Sequence, residues 1–274
     1  MNDPVVIYLV LSLSAMAAGA VNSVAGGGTL LSFPPLLRLM EAVNANATST
    51  VALMPGSLAG GLGYRKEVWE CRALILRLLI PSVLGGAVGS LLVTRLPPKV
   101  FATLVPWLIL TAASLFLIQG PVKRLIGAGK HGPPSGWAVA GVVVGQFLIA
   151  VYGGYFGAGI GILMLSVLPF MGTENIHQTN AAKTILAAVI NGVTVVVFVF
   201  EGVVVWHYAL FMAAAAIVGG YLGAHFARKL PTVYVRALVI AIGFGLGGYY
   251  LWKEFAGGSS DPPPIPEATD VRPS

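Results

Sequence analysis

Apolar residues fall in long blocks separated by short polar breaks. Val5–Val21, Leu74–Val93, Val100–Ile118, Trp137–Tyr152, Ile185–Phe200, Tyr208–Ala227 and Val233–Trp252 each approach or reach the roughly 20 residues a helix needs to cross a bilayer. The blocks are apolar all round, whereas a membrane β-barrel alternates apolar and polar positions. Backbone groups in lipid must be satisfied within the structure, so the pattern predicts an all-α polytopic membrane protein.

The chain also repeats itself. A shift of 134 residues without a gap brings Gly19 onto Gly153, Gly27 onto Gly161, Ser32 onto Ser166 and Pro35 onto Pro169. The same shift aligns Asn46, Ala47 and Thr50 with Asn180, Ala181 and Thr184, then Glu67 with Glu201 and Leu96-Pro97 with Leu230-Pro231. A constant offset that aligns Pro, Asn and Glu points to duplication rather than shared apolar composition. Each half reads as five segments: Val5–Val21, Ala25–Met40, Asn46–Tyr64, Leu74–Val93 and Val100–Ile118, then Trp137–Tyr152, Phe156–Met171, Asn180–Phe200, Trp206–Ala227 and Val233–Trp252. The expected organisation is a first membrane repeat over 1–118, a polar linker over 119–135, a second repeat over 136–256 and a disordered Pro- and Ser-rich tail over 257–274.

The second segment of each half is short and broken by glycine and proline: AGGGTLLSFPPLLRLM and FGAGIGILMLSVLPFM. Such segments at matching positions in two halves point to a transporter binding site, because a helix that begins inside the membrane aims N–H groups and its positive dipole end inward. If these segments cross, there are ten spans and the halves are inverted. If they re-enter, there are eight and the halves are parallel. Arg65, Lys66, Arg72, Lys123, Arg124 and Lys130 share one side in either case, which the positive-inside rule makes cytoplasmic. The inverted arrangement is favoured because it supplies two alternating states around one site.

Composition adds exclusions. Only 9% of the 274 residues are charged, against about 25% in soluble domains, so there is too little polar surface to cover a globule. The net charge of +6 fits positive-inside loops and calls for no nucleic-acid partner. The leader carries Asp3 and no Lys or Arg, so Val5–Val21 reads as a retained span rather than a signal peptide. Cys71 is the single cysteine and the four histidines lack metal spacing, so no metal or cofactor is expected. No clustered nucleophile and base, no HExxH and no Walker motif is present, which argues against an enzyme or an ATPase.

The candidate chemistry lies in His177-Gln178-Thr179-Asn180-Ala181-Ala182-Lys183-Thr184, which leads into an apolar helix. A charge one turn inside a span costs roughly 2.5–3.5 kcal/mol on insertion scales, so Lys183 is expected to face a cavity. Snorkelling to the interface and a pair with Glu174 are the alternatives. Asn180, Lys183, Thr184 and Asn191 fall along one helical stripe, a set of amide, ammonium and hydroxyl donors suited to an oxyanion. The first half offers Asn46, Ser49 and Thr50, with Ser49 where the second has Lys183. These could donate to the same ligand or simply bond their own backbone. The helix starts add Gly27, Gly28 and Thr29 in one half and Gly159 and Gly161 in the other, with Asn22 and Tyr155 flanking them. Tyr155, like Tyr152, could equally sit at the interface. A proton-coupling role for Glu67 or Glu201 is a lesser expectation.

GAVNSVAGGGTLLSFPPLL with NATST in the first half, and YGGYFGAGIGILML, HQTNAAKTILAAVINGV and GGYLGAHFARKLP in the second, resemble the sulfite exporter TauE/SafE family of membrane permeases. The resemblance covers about residues 5–253. It implies a multi-pass transporter in the bacterial inner membrane, exporting sulfite, an organosulfonate or a related sulfur-containing anion. Its partners would be that small anion, the bilayer and, in some assemblies, a second copy of the chain. An anion channel or a non-transporting scaffold would use the same hydrophobic framework.

Overall fold

The computed structural model describes residues 3–24, 27–61, 65–127, 136–171, 176–226 and 232–255. Among these, all regular structure is helical. The helices are α1 (Pro4–Val24), α2 (Thr29–Leu36), α3 (Ala42–Gly61), α4 (Arg65–Glu70), α5 (Arg72–Arg95), α6 (Pro98–Gly127), α7 (Gly136–Tyr155), α8 (Ile160–Val167), α9 (Ile176–Phe200), α10 (Trp206–Phe226) and α11 (Thr232–Phe255), with a 3₁₀ turn, Leu168–Met171, extending α8. Two details differ from the sequence expectation. Arg65–Glu70 coils into a helical turn where a plain loop is expected, and α6 runs on to Gly127, into the expected linker. The tail over 257–274 lies outside the described residues.

Among the described residues, five helices are long and apolar enough to cross a membrane: Pro4–Asn22, Arg72–Arg95, Pro98–Ile118, His177–Phe200 and Trp206–Gly223. Helix α5 shows how one such helix serves two environments. Ile75, Leu78, Ser82, Gly85, Gly86, Gly89, Ser90 and Val93 are buried, while Leu76, Ile80, Leu84 and Val88, four apart, are exposed. The first stripe packs on protein and the second is the apolar face left for lipid tails. Trp69, Trp137, Trp206 and Trp252, near helix ends, are also exposed, where amphipathic rings suit the headgroup level.

Helix α3 is not among the five. Its first turns carry the polar run Asn44–Thr50, and it is an interior helix whose polar groups are met by the second half of the chain. Asn44 Nδ2 donates to Val203 O (3.0 Å), Asn46 Nδ2 to Tyr155 O (3.1 Å), and Thr48 Oγ1 accepts from Val205 N (3.1 Å). Asn46, Thr48 and Ser49 are buried.

The two halves interlock. Helix α1 packs along α10 and α5 along α7; α3 meets α10 and α9, and α5 meets α9. Close approach depends on glycine: a Cβ on Gly219 would strike Met16 O and one on Gly19 would strike Ala216 O. On the other seam, Gly89 faces Val151 O and Gly154 faces Gly86 O. Small residues take this place in membranes because apolar side chains gain little by leaving lipid, whereas closely fitted backbones gain dispersion contacts.

Residue pairs along the seams fix the helix directions. Tyr8 meets Tyr208 and Phe211 and Met16 meets Gly219, so α1 and α10 run parallel. Asn44 bonds Val203 and Gly56 faces Ala216, so α3 runs with them. Ser82 pairs with Gln146 (2.9 Å) and Gly89 with Val151, so α5 and α7 run parallel. Cys71 approaches Gln178 and Gly86 approaches Ile190, so α9 joins that set. The start of α3 reaches the end of α7 through Asn46 and Tyr155, so the two sets run in opposite directions. Arg95 donates twice to Glu201 Oε1, from Nε (3.0 Å) and Nη2 (2.7 Å). The pair ties the end of α5 to the end of α9, which gives Glu201 a structural partner at the margin of the bundle.

Candidate functional site

The two short helices begin beside the same stretch of α6. A Cβ on Gly27 would overlap the Phe116 ring, and one on Gly159 would touch Leu115 Cδ1 (3.4 Å) and approach Ala112 Cα (3.9 Å). Gly27 has φ of 112° and Gly159 of 82°. At these two positions the chain turns in the left-handed region, which only glycine enters without strain. At eight residues each, α2 and α8 rise only about 12 Å, too little to cross roughly 30 Å of hydrocarbon on their own.

The start of α2 is closed by its own chain. Asn22 Oδ1 accepts from Gly27 N (2.9 Å) and Gly28 N (2.7 Å), and its Nδ2 donates to Ser57 Oγ (3.4 Å). The expectation that these N–H groups are offered to a ligand is therefore corrected for Gly27 and Gly28. The amide that flanks them satisfies them, as a capping side chain does. Thr29 is the first residue of α2, and beyond it Leu31 N and Ser32 N turn to Gly28 O. Asn22→Ala is expected to lower the unfolding midpoint in detergent by an amount matching about 1–2 kcal/mol. Asn22→Asp, which keeps the accepting oxygen, is expected to stay near the parent.

The start of α8 is different. The position matching Asn22 at the 134-residue offset is Phe156, which has no polar side chain. Gly159 stands at the N-cap and, as glycine, supplies no capping side chain of its own. Here Lys183 from α9 crosses the helix start: a Cβ on Gly161 would stand 3.3 Å from Lys183 Cδ. Two residues 22 apart in sequence thus meet because Gly161 has no side chain to hold the lysine stem away. Helix α9 carries Asn180, Lys183, Thr184 and Asn191 half-buried, while Ala181, Ala182, Leu186 and Ile190 are buried against the protein. Thr184 Oγ1 donates to Asn180 O (2.8 Å), so its proton goes to its own helix. Glu174, the alternative partner for Lys183, lies outside the described residues.

In the first half, Thr50 Oγ1 donates to Asn46 O (2.8 Å), repeating the Thr184 arrangement. Ser49 Oγ meets Ser32 Oγ at 2.6 Å, and Ser32 Oγ reaches Gly28 O at 3.4 Å. Asn46 Nδ2 donates to Tyr155 O while its Oδ1 has no partner, and the Tyr155 hydroxyl is likewise unpartnered. Of the two readings open for this stripe, Thr50 takes the one in which the hydroxyl bonds its own backbone. A hydroxyl on a helix can turn its proton to a nearby backbone carbonyl, as Thr50 does, while Asn46 Oδ1 is left as a buried acceptor. Tyr155 sits at the end of α7 with its ring against Phe101 (5.3 Å between centroids), inside the bundle rather than at an interface. Tyr152 donates to Ala158 O (2.7 Å) and braces the α7–α8 junction.

Ser32, Ser57 and Phe116 take part without having been singled out from sequence. The offset places Ser57 opposite Asn191 and Ser32 opposite Ser166, a signal that was present for both serines. Nothing in the local sequence marks Phe116.

The comparisons with known proteins agree with this architecture. The family model described as sulfite exporter TauE/SafE matches residues 11–250. A probable membrane transporter protein of Haemophilus influenzae is 27% identical, over 86% of this chain and 91% of its own length. The probable membrane transporter protein ORF9 of a Sinorhizobium species is 24% identical, covering 86% of this chain and 89% of its own. The probable membrane transporter protein YfcA of Escherichia coli K12 is 25% identical over 85% of each. No solved structure matches. With a helical bundle of membrane-spanning length and a family match over most of its residues, this chain belongs to the sulfite exporter TauE/SafE family of membrane transport proteins.

Proposed function

We propose that the protein is a secondary transporter that exports a small sulfur-containing anion, such as sulfite or an organosulfonate, across the bacterial inner membrane. The observation that carries this reading is the Lys183 stem lying across Gly161 at the start of α8. It brings the stem of a cationic side chain on a membrane-spanning helix to the start of a short interior helix. A helix N-terminus and an ammonium group favour the same ligand, an anion.

Alternating access needs two related halves around one site, and the packing supports that reading. At the 134-residue offset α1 corresponds to α7, α2 to α8, α3 to α9, α5 to α10 and α6 to α11. The pairs α1–α10 and α5–α7 exchange under this correspondence, as do α3–α10 and α5–α9. The opposite directions of α1 and α7 support ten segments with inverted halves and both termini on the outer side. An anion leaving a negative interior gains about 2.3 kcal/mol per charge per 100 mV, which accords with export.

The test is counterflow in proteoliposomes preloaded with sulfite, sulfate, an alkanesulfonate or a plain carboxylate. Saturable exchange of a labelled sulfur anion, absent from protein-free vesicles, is the expected result. Exchange of carboxylate alone would move the substrate class. Unsaturable flux without counterflow would identify a channel, and no flux from folded protein would overturn transport.

A further inference from the structure

From the acceptor-lined face at the start of α3, we infer that the first half of the chain holds a monovalent metal cation at Asn46 and Ser49, distinct from the anion site at Lys183. The inference rests on the transport reading and adds a second ligand to it.

The first argument is a proton inventory. Asn46 is 1% exposed. Its amide orientation is settled by chemistry, since only Nδ2 can face Tyr155 O at 3.1 Å, and Oδ1 is therefore the atom left without a partner. Leaving a buried acceptor unmet costs about 1–3 kcal/mol. Ser49, three residues on, lies on the same face of α3 and is fully buried. Ser49 Oγ shares a 2.6 Å hydrogen bond with Ser32 Oγ in which either hydroxyl can donate, and Ser49 keeps a lone pair in both arrangements. Thr50 gives its proton to Asn46 O. The face therefore presents a buried amide oxygen without a partner and a serine lone pair to a ligand.

The second argument is electrostatic. Tyr155 is the last residue of α7, so the Asn46 amide lies against the negative end of that helix dipole, where cations are favoured. The donor atoms are neutral oxygens with no carboxylate among those named. Ca²⁺ and Mg²⁺ sites in proteins are built around carboxylates, so the set suits a singly charged ion.

The third argument comes from the repeat. Ser49 occupies the position of Lys183 at the 134-residue offset. Where the second half places a covalent ammonium beside α8, the first half has a small hydroxyl beside α2. A bound cation supplies there the charge that lysine supplies in the other half. The flanking residues differ in the matching sense: Asn22 closes the α2 start against an anion, whereas Phe156 at the matching position has no polar group to do so.

The test uses the purified full chain in detergent, with its unfolding midpoint followed in NaCl, LiCl, KCl and choline chloride at equal ionic strength and pH. A saturable rise of about 2–4 °C with at least one metal ion and none with choline is expected. Asn46→Ala and Ser49→Ala are expected to remove or weaken that rise. Asn46→Asp, which keeps the shape and adds a charge, is expected to lower the half-saturating concentration roughly tenfold. Equal midpoints in all four salts, or an unchanged response in both Asn46 variants, would overturn the cation site. Sulfite is titrated in parallel. Stabilisation by sulfite with no metal-ion response would sink the cation site and leave anion transport standing. A metal-ion response that needs Asn46, without any sulfite response, would uphold the cation site and count against the anion reading.

Discussion

Replacing Lys183 by alanine is expected to weaken anion binding about 10- to 150-fold while leaving the protein folded. A hydrogen bond to a charged group is worth about 1.5–3 kcal/mol, and each 1.4 kcal/mol is a factor of ten in affinity. The variant removes an expensive charge from a membrane helix, so insertion is not expected to suffer. That separates a lost ligand contact from a lost fold. Sulfite counterflow as a function of concentration, with size-exclusion profiles of the same preparations, measures both. Lys183→Arg is expected to recover only part of the activity. It keeps the charge, but a planar guanidinium does not reproduce a compact ammonium. Gly161→Ala reads the same contact from the other side. Its Cβ would stand 3.3 Å from Lys183 Cδ and push the stem by a few tenths of an ångström, so a milder loss is expected. Wild-type transport in Lys183→Ala would remove the central contact of the proposed mechanism.

The second large effect is structural. Gly219→Leu is expected to abolish recovery of monodisperse protein. The new Cβ would strike Met16 O, a backbone atom that cannot swing aside as a side-chain end can. Helix α1 would have to move off α10, opening a seam that joins the first half to the second. Overpacking in protein interiors costs about 1–3 kcal/mol when side chains can adjust, and here the obstruction is backbone. Gly154→Leu on the α5–α7 seam, where the Cβ would strike Gly86 O, is expected to behave alike. Gly141→Leu is the control, because that glycine is exposed on α7 and nothing lies within 4 Å of its Cβ. Fluorescence-detected size exclusion of all three variants compares them directly. Normal recovery of Gly219→Leu would mean that α1 and α10 are not held at glycine-limited distance.

The membrane class was legible because hydrophobic run length is a local quantity. A block such as Leu74–Val93 has one favourable solvent, and no contact elsewhere in the chain alters that. The short broken segments could be recognised for the same reason, since glycine and proline limit the backbone wherever they stand. Helix α3 was harder to read. The polar run that holds the candidate Asn46 is open to a ligand by sequence, but Val203, Tyr155 and Val205 take up bonding capacity of Asn44, Asn46 and Thr48. These partners lie more than 100 residues away, beyond the reach of any pattern in the segment itself.

The sequence by itself determined the helical membrane class, the positions of the apolar segments and Lys183 as a charge within one of them. Backbone satisfaction in lipid and the cost of an intramembrane charge act on each segment separately. The tertiary structure decided which polar atoms are already used. Asn22 closes the start of α2, Thr50 and Thr184 turn back on their own helices, and Asn46 keeps one acceptor in reserve. It also decided that Lys183 lies across Gly161 and that the starts of both short helices meet α6. Hydrogen bonds reach about 3 Å, so their allocation depends on which helices touch. Composition names the donors and acceptors, but only packing pairs them.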